Sequence, residues 1–147
     1  ARIRIKTAIT TVSVFFGLTD NGSLEEPFSN SSDTITSNAT DGAGFLYDTD
    51  ATTDQWWGVA VDSDTDDAGN ATLGVAPTAD TWQVLRMELE PDGSIVRFFV
   101  DGDLKLTLSG GGCGPDVALY PTLFACSTTT TSKSVDIDWI RAYSRRA

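Results

Sequence analysis

Apolar and polar residues alternate through the middle of the chain, between Trp82 and Leu108. Three apolar sets recur at every second position: Leu85, Met87 and Leu89; Val96, Phe98 and Val100; and Leu104, Leu106 and Leu108. A period of two places each set on one face of a half-buried strand. The sequences Glu90–Gly93 and Asp101–Gly102 between the sets are typical of tight turns. The pattern therefore predicts three antiparallel strands joined by two short turns.

Shorter segments with strand character flank this region. They are predicted at residues 2–6, 11–17, 44–48, 55–62, 117–126 and 134–143, and no segment keeps a helical period over three turns. Asp20–Asp41 and Asp62–Ala79 are predicted to be long polar loops, which in compact domains are usually functional or surface excursions. Roughly nine short strands separated by turn residues predict an all-β, antiparallel two-sheet sandwich.

The length of 147 residues predicts a single domain, 1–147, with its own core. No apolar run approaches the roughly 20 residues that a membrane helix needs, so we expect no membrane partner. The chain begins with strand-like sequence, without Met and without a visible signal peptide. We therefore expect it to be a piece of a longer polypeptide or to lack N-terminal residues.

The net charge of −11 disfavours nucleic acid as a partner, because phosphate backbones select basic surfaces. Six of the ten basic residues lie near the two ends: Arg2, Arg4, Lys6, Arg141, Arg145 and Arg146. If the terminal strands are neighbours, these residues form a basic stripe. The stripe would either protect a sheet edge by its charge or dock an acidic neighbouring subunit.

The chain contains no His. Because His is the commonest general base and a frequent zinc ligand, its absence removes Ser-His-Asp and Cys-His mechanisms from this segment. Glu88 and Glu90 share one strand face, but Leu89 stands between them where a glucanase-type E-x-D-x-E motif needs Asp. This face is therefore interpreted as solvated rather than catalytic, and no catalytic residues are predicted.

The segment Asp62–Asn70 has the alternating carboxylates of a calcium loop. It is not an EF-hand, because Asp67 stands at the sixth position and Leu73 at the twelfth. A solvated acidic loop is one interpretation. The other is a calcium site formed by Asp62, Asp64 and Asp66, and no other cofactor is indicated.

Two further pairs of residues are candidates for specific roles. Trp56 and Trp57 are adjacent in a predicted strand and must point to opposite faces. One of them is expected to be an exposed platform for a sugar or a subunit contact, unless a loop buries it. Cys113 and Cys126 are a candidate disulfide, which two cysteines alone do not establish.

Two segments resemble the concanavalin A-like lectin and glucanase jelly-roll superfamily. The stretch from Asp80 to Gly102 is similar to its hairpin ending in F-x-V-D-G, and Val135–Tyr143 is similar to its closing strand, V-D-Y-V-R-V-Y. The chain resembles more closely the jelly-roll domains of tailed-bacteriophage virion proteins, through segments Val14–Asp20, Gly44–Asp48 and Trp56–Val61. The resemblance covers most of the chain, implies a jelly roll, and bears on function only by analogy.

The function expected from this resemblance is that of a non-catalytic structural protein of a tailed-phage virion. It would be a capsid decoration or cement protein on the capsid exterior, binding the major capsid protein or other virion subunits and forming a homo-oligomer on the particle. The alternative is an extracellular or fibre-borne carbohydrate-binding module with glycans as partners. A glucanase is the third hypothesis.

Overall fold

The computed structural model describes residues 1–6, 9–23, 25–109 and 117–143. This part of the chain contains thirteen strands and no helix, which confirms the all-β prediction. The strands are β1 Arg2–Ile5, β2 Val12–Thr19, β3 Phe28–Ser31, β4 Thr34–Ser37, β5 Gly42–Asp48, β6 Trp56–Asp62, β7 Thr65–Asp66, β8 Ala71–Thr72, β9 Gln83–Leu89, β10 Ile95–Val100, β11 Asp103–Ser109, β12 Tyr120–Ser127 and β13 Val135–Trp139.

The strands form two large antiparallel sheets that enclose a common core, an arrangement consistent with a jelly roll. One sheet has the order β11-β10-β9-β1-β13. The other has the order β12-β2-β5-β6-β7, with β8 also paired to β6. Strands β1 and β13 are neighbours. This pairing is the condition under which the basic residues near the two ends of the chain could form a stripe.

The central strands β9, β10 and β11 pair as the alternation predicts. Phe98 of β10 lies fully buried between the sheets, with its ring centre 5.3 Å from that of Phe45 in an edge-on arrangement. Edge-on pairs are favourable because the positive ring edge meets the negative ring face. Asp101 and Gly102 both have positive φ, 52° and 95°, as the tight turn between β10 and β11 demands.

Leu104 departs from the predicted alternation and is 53% exposed. The register of β10 and β11 shifts beside it, since Phe98 faces Leu106 and Phe99 faces Leu104. An extra residue on β11 is therefore accommodated at Lys105, which is a β-bulge. The bulge places Leu104 opposite the outward-facing Phe99, so the prediction that Leu104 shares the core face was wrong.

The central strands of the six-stranded sheet, β2, β5 and β6, are buried on both faces. A second apolar cluster covers the outer face of this sheet and consists of Phe15, Phe28, Ala39, Leu46, Trp57, Val59 and Val61. Strands β3 and β4 form a hairpin over this face, and the ring of Phe28 stacks on that of Phe15 at 5.3 Å. The prediction of a plain loop over Asp20–Asp41 was therefore wrong, because this segment supplies a covering layer.

Candidate functional site

The two adjacent tryptophans point to opposite faces of β6, as predicted. Trp56 is 1% exposed in the core between the sheets, and its Nε1–H donates to Oε1 of Gln83 at 2.9 Å. Trp57 is 7% exposed in the second cluster, beneath the β3–β4 hairpin. Both rings are therefore buried, which agrees with the alternative that a covering segment buries the second ring.

The acidic segment after β6 forms a hairpin turn. Ser63 and Asp64 have positive φ, 52° and 60°, and Asp62 pairs with Thr65 while Val61 pairs with Asp66. Successive residues of a strand point to opposite faces, so the carboxylates of Asp62 and Asp66 diverge. The described residues contain no group of three His, Cys, Asp or Glu side chains placed to hold a metal ion. This arrangement agrees with the interpretation of the segment as a solvated acidic loop, and calcium binding by Asp62, Asp64 and Asp66 stays a prediction.

The basic residues of β1 are neutralised by carboxylates of β13. Arg2 contacts Asp138 at 2.8 Å, Arg4 contacts Asp136 at 2.8 Å, and Lys6 lies 3.7 Å from Asp136. The hydrogen bond from Arg4, with the positive charge of Lys6, holds the pKa of Asp136 below its ordinary value. Arg2, Arg4 and Lys6 therefore lie in exposed or part-buried ion pairs at this sheet edge, and docking of an acidic subunit by the stripe stays a prediction.

The remaining residues of the predicted stripe lie elsewhere or outside the described residues. The guanidinium of Arg141 lies over the ring of Trp139, 5.3 Å from its centre. Arg145 and Arg146 lie outside the described residues, as does Cys113. The disulfide between Cys113 and Cys126 therefore stays a prediction. Cys126 itself lies half-buried on β12, and burial raises the pKa of its thiol.

Polar residues form a row under the start of the β3–β4 hairpin. Ser13 of β2 pairs with Asp48 of β5, and both are almost fully buried. The Ser13 hydroxyl donates to the carboxyl of Glu26, and Asp48 accepts the backbone N–H of Asn30 at 2.9 Å. Burial raises the pKa of Glu26, and the negative charges of Asp48 and Asp50 add to the rise. These residues fasten the hairpin to the sheet.

A pH-dependent stability follows from Glu26. Its pKa is raised in the folded state, so the folded protein holds this proton more tightly, and the resulting stability is lost as the pH rises through the folded pKa. Glu26→Gln keeps an acceptor for Ser13 without the charge. We expect its midpoint of thermal unfolding to exceed that of the unchanged protein at pH 7.5 and to converge with it near pH 4. Glu25→Gln, at an exposed neighbour, is the control, and an equal gain in both variants would contradict the assignment.

A wide depression lies between the two sheets, on the side of β12 and β13. We call it the β9 groove; it has a volume of about 1140 Å³. Its inner wall is apolar and includes Leu85, Met87 and Leu89 of β9 with Phe16 and Leu18 of β2, and residues 139–143 form the opposite wall. The alternation of apolar residues placed the β9 residues in the core but gave no sign of the groove, because its walls come from segments far apart in the sequence.

The rim of the β9 groove carries charged residues in ion pairs. Arg86 contacts Glu88, and Nη1 of Arg97 lies 2.6 Å from Oε1 of Glu90. Each Glu of this strand face therefore has its own Arg partner, as expected for a solvated face. The groove thus combines an apolar interior with a neutralised rim.

Comparisons with known protein families and with characterised proteins return no match for this chain. The described residues contain no helix of the length and hydrophobicity that crossing a membrane requires.

Proposed function

We propose that the chain is a concanavalin A-like jelly roll that serves as a non-catalytic structural protein of a tailed-phage virion. In this role it decorates or cements the capsid exterior and contacts the major capsid protein or other virion subunits. The observation that carries the proposal is the clustering of exposed apolar side chains on one side of the sandwich.

Five of the six large hydrophobic side chains that are exposed in the described residues lie on the side of β12 and β13. They are Val117, Tyr120, Ile137, Ile140 and Tyr143. Contiguous exposed apolar surface is rare on proteins that act alone and is enriched at the centre of protein interfaces. Exposure of Tyr143 reaches 86%, which leaves nearly the whole ring available to a partner. We call this set the edge patch.

The two strands beside the edge patch are sheet edges. In the described structure β12 pairs only with β2, and β13 pairs only with β1. Edge strands offer unpaired backbone groups to a partner, and natural proteins that act alone usually protect them. An acidic chain of net charge −11 would also keep a crowded array of copies soluble. Both features support a homo-oligomer or a mixed array on a particle surface.

Trp56 and Trp57, the residues predicted for the carbohydrate-binding alternative, are both buried, so other aromatic residues are its candidates. Trp139 and Tyr143 line the β9 groove, where their rings adjoin the charged rim. Aromatic rings beside polar groups are the usual parts of a sugar site. Glycan binding that is lost in Tyr143→Ala would favour this second candidate, with an extracellular or fibre location. Detectable hydrolysis of a β-glucan would favour the third candidate, a glucanase, although the sequence lacks the E-x-D-x-E motif.

A binding experiment with undecorated capsids tests the main proposal. Ile137→Ser removes an apolar side chain from the edge patch, and Leu104→Ser removes one of similar exposure on β11. We expect Ile137→Ser to weaken capsid binding about tenfold, since a buried interface side chain contributes more than about 1 kcal/mol. Leu104→Ser should bind like the unchanged protein. Co-sedimentation measures both, and equal affinity of the two variants would contradict the proposal.

A further inference from the structure

Asn21 and Gly22 lie just beyond the end of β2, where the chain leaves the six-stranded sheet. In an Asn-Gly sequence the backbone nitrogen of the second residue can approach the side-chain carbonyl carbon of the first with little obstruction, because Gly has no Cβ. Gly22 is exposed, and a Cβ built on it would meet nothing within 4 Å. The backbone nitrogen of Gly22 is therefore open to the side chain that precedes it.

The side chain of Asn21 is folded over the peptide that follows it. Its Oδ1 accepts the backbone N–H of Ser23 at 2.9 Å, so the carboxamide lies beside the intervening nitrogen of Gly22. The backbone N–H of Asn21 donates to Oγ1 of Thr19 at 3.0 Å, which anchors the residue to the end of β2. Such anchoring holds two reacting groups together in advance. The N–H of Ser23 would also stabilise negative charge that develops on Oδ1 during an attack on Cγ.

The other three of the four asparagines, all within the described residues, lack this combination. Asn30 is 1% exposed in β3. Both amide atoms of Asn70 are bound to the backbone of Ala60, at 2.7 Å and 3.1 Å. Asn38 is exposed, but it is followed by Ala39, which carries a Cβ and is buried. Asn21 alone joins an accessible side chain to a following glycine.

We propose that Asn21 is a site of spontaneous deamidation through a cyclic imide. The nitrogen of Gly22 gives its proton to solvent hydroxide and forms a bond to Cγ of Asn21. The side-chain nitrogen takes up a proton from water and leaves as ammonia. Water then opens the imide at one of its two carbonyl groups, which yields either aspartate or isoaspartate, in which the backbone runs through the side chain. The site is independent of the function proposed above.

The reaction would remove a link between the end of β2 and the β3–β4 hairpin. Nδ2 of Asn21 donates to the backbone carbonyl of Asn38 at 3.3 Å. Asn38 in turn binds the strand that enters the hairpin, through the carbonyls of Pro27 and Glu26, both at 2.9 Å. A carboxylate oxygen cannot donate, so in the product two oxygens would face each other at this point. Deamidation of Asn21 should therefore loosen the hairpin.

Incubation of the purified chain at pH 8.5 and at pH 6, followed by peptide mapping with mass spectrometry, tests the site. We expect the mass increase of an amide-to-acid exchange in the peptide that contains Asn21, with isoaspartate among the products and a faster reaction at pH 8.5. Gly22→Ala, whose Cβ enters open space, should slow the reaction at least about tenfold. An equal rate in this variant, equal modification of Asn38 and Asn70, or no reaction would overturn the proposal.

The same measurement in guanidinium chloride separates the folded geometry from the effect of the Asn-Gly sequence itself. The bond from Ser23 to Oδ1 and the anchored backbone of Asn21 exist only in the folded chain. We therefore expect the native protein to react at least as fast as the unfolded one. A native rate far below the unfolded rate would overturn the assignment of Asn21 as a site of the folded protein.

Asn21→Asp tests the effect on the hairpin. We expect the backbone amide of Asn38, which donates to Pro27, to exchange with solvent about tenfold faster, as the loss of one supporting hydrogen bond would give. The amides of β10 in the other sheet are the control and should exchange as before. Protein deamidated by incubation allows the same comparison without a substitution. Unchanged exchange at Asn38 in both samples would overturn the role given to Nδ2 of Asn21.

Discussion

Replacing Phe98 by Ala is expected to lower the free energy of unfolding by about 4 kcal/mol, the range for a large core aromatic. Phe98 is fully buried, and its ring meets Phe45 edge-on at 5.3 Å. The space cannot close by a small shift, because Gly58 of the facing sheet already lies against the same ring and has no side chain to move in. The loss therefore combines apolar burial with an unfilled cavity.

Phe99→Ala is the matched control, since the same residue type stands next to Phe98 on the outer face. Its ring is half-buried, and the guanidinium of Arg86 lies 3.7 Å from its centre. We expect a loss of about 1 kcal/mol, from a cation–π contact and partial burial. Urea denaturation measures both variants. Losses of similar size would show that the two faces of β10 are assigned incorrectly.

Replacing Gly17 by Ala is expected to cost about 3 kcal/mol, the upper range for overpacking a filled site. A Cβ at Gly17 would lie 2.2 Å from the carbonyl oxygen of Ala43 and 2.5 Å from Cα of Gly44. Both are backbone atoms of β5, which pairs with β2 at this point. They can retreat only if the sheet opens locally, so the methyl group should break ladder hydrogen bonds.

Gly22→Ala is the control for this second substitution. A Cβ at Gly22 would meet nothing within 4 Å, so its free energy of unfolding should change by less than about 0.5 kcal/mol. Thermal unfolding followed by circular dichroism distinguishes the two variants. A Gly17→Ala protein that unfolds like Gly22→Ala would mean that β2 and β5 are not packed as closely as described.

Local pattern predicted the central strands because apolar residues recur at every second position from Leu85 to Leu89 and from Val96 to Val100. It failed at Leu104, since a bulge changes the facing of a residue without leaving a signal in the alternation. It also failed for the β3–β4 hairpin. Phe28 and Ile35 are isolated apolar residues in a polar segment, and only the sheet beneath them gives them a partner.

The candidate site was less predictable because it depends on pairs distant in sequence. The carboxylates that neutralise Arg2 and Arg4 lie 136 and 132 residues away on β13. The sequence around β1 gives no indication of these carboxylate partners. The β9 groove likewise brings together residues of β2, β9 and the segment after β13, which are far apart in the sequence.

The β3–β4 hairpin covers apolar surface of the six-stranded sheet, and its detachment from the sheet would make the protein prone to aggregate. The ring of Phe28, the side chains of Ile35 and Ala39 and a row of polar contacts hold this layer against the sheet. A brief lifting of the layer, far short of global unfolding, would expose a wide and flat apolar surface. Such surfaces coalesce between molecules, so aggregation on heating or in alkaline buffer should begin here, before the inter-sheet core melts.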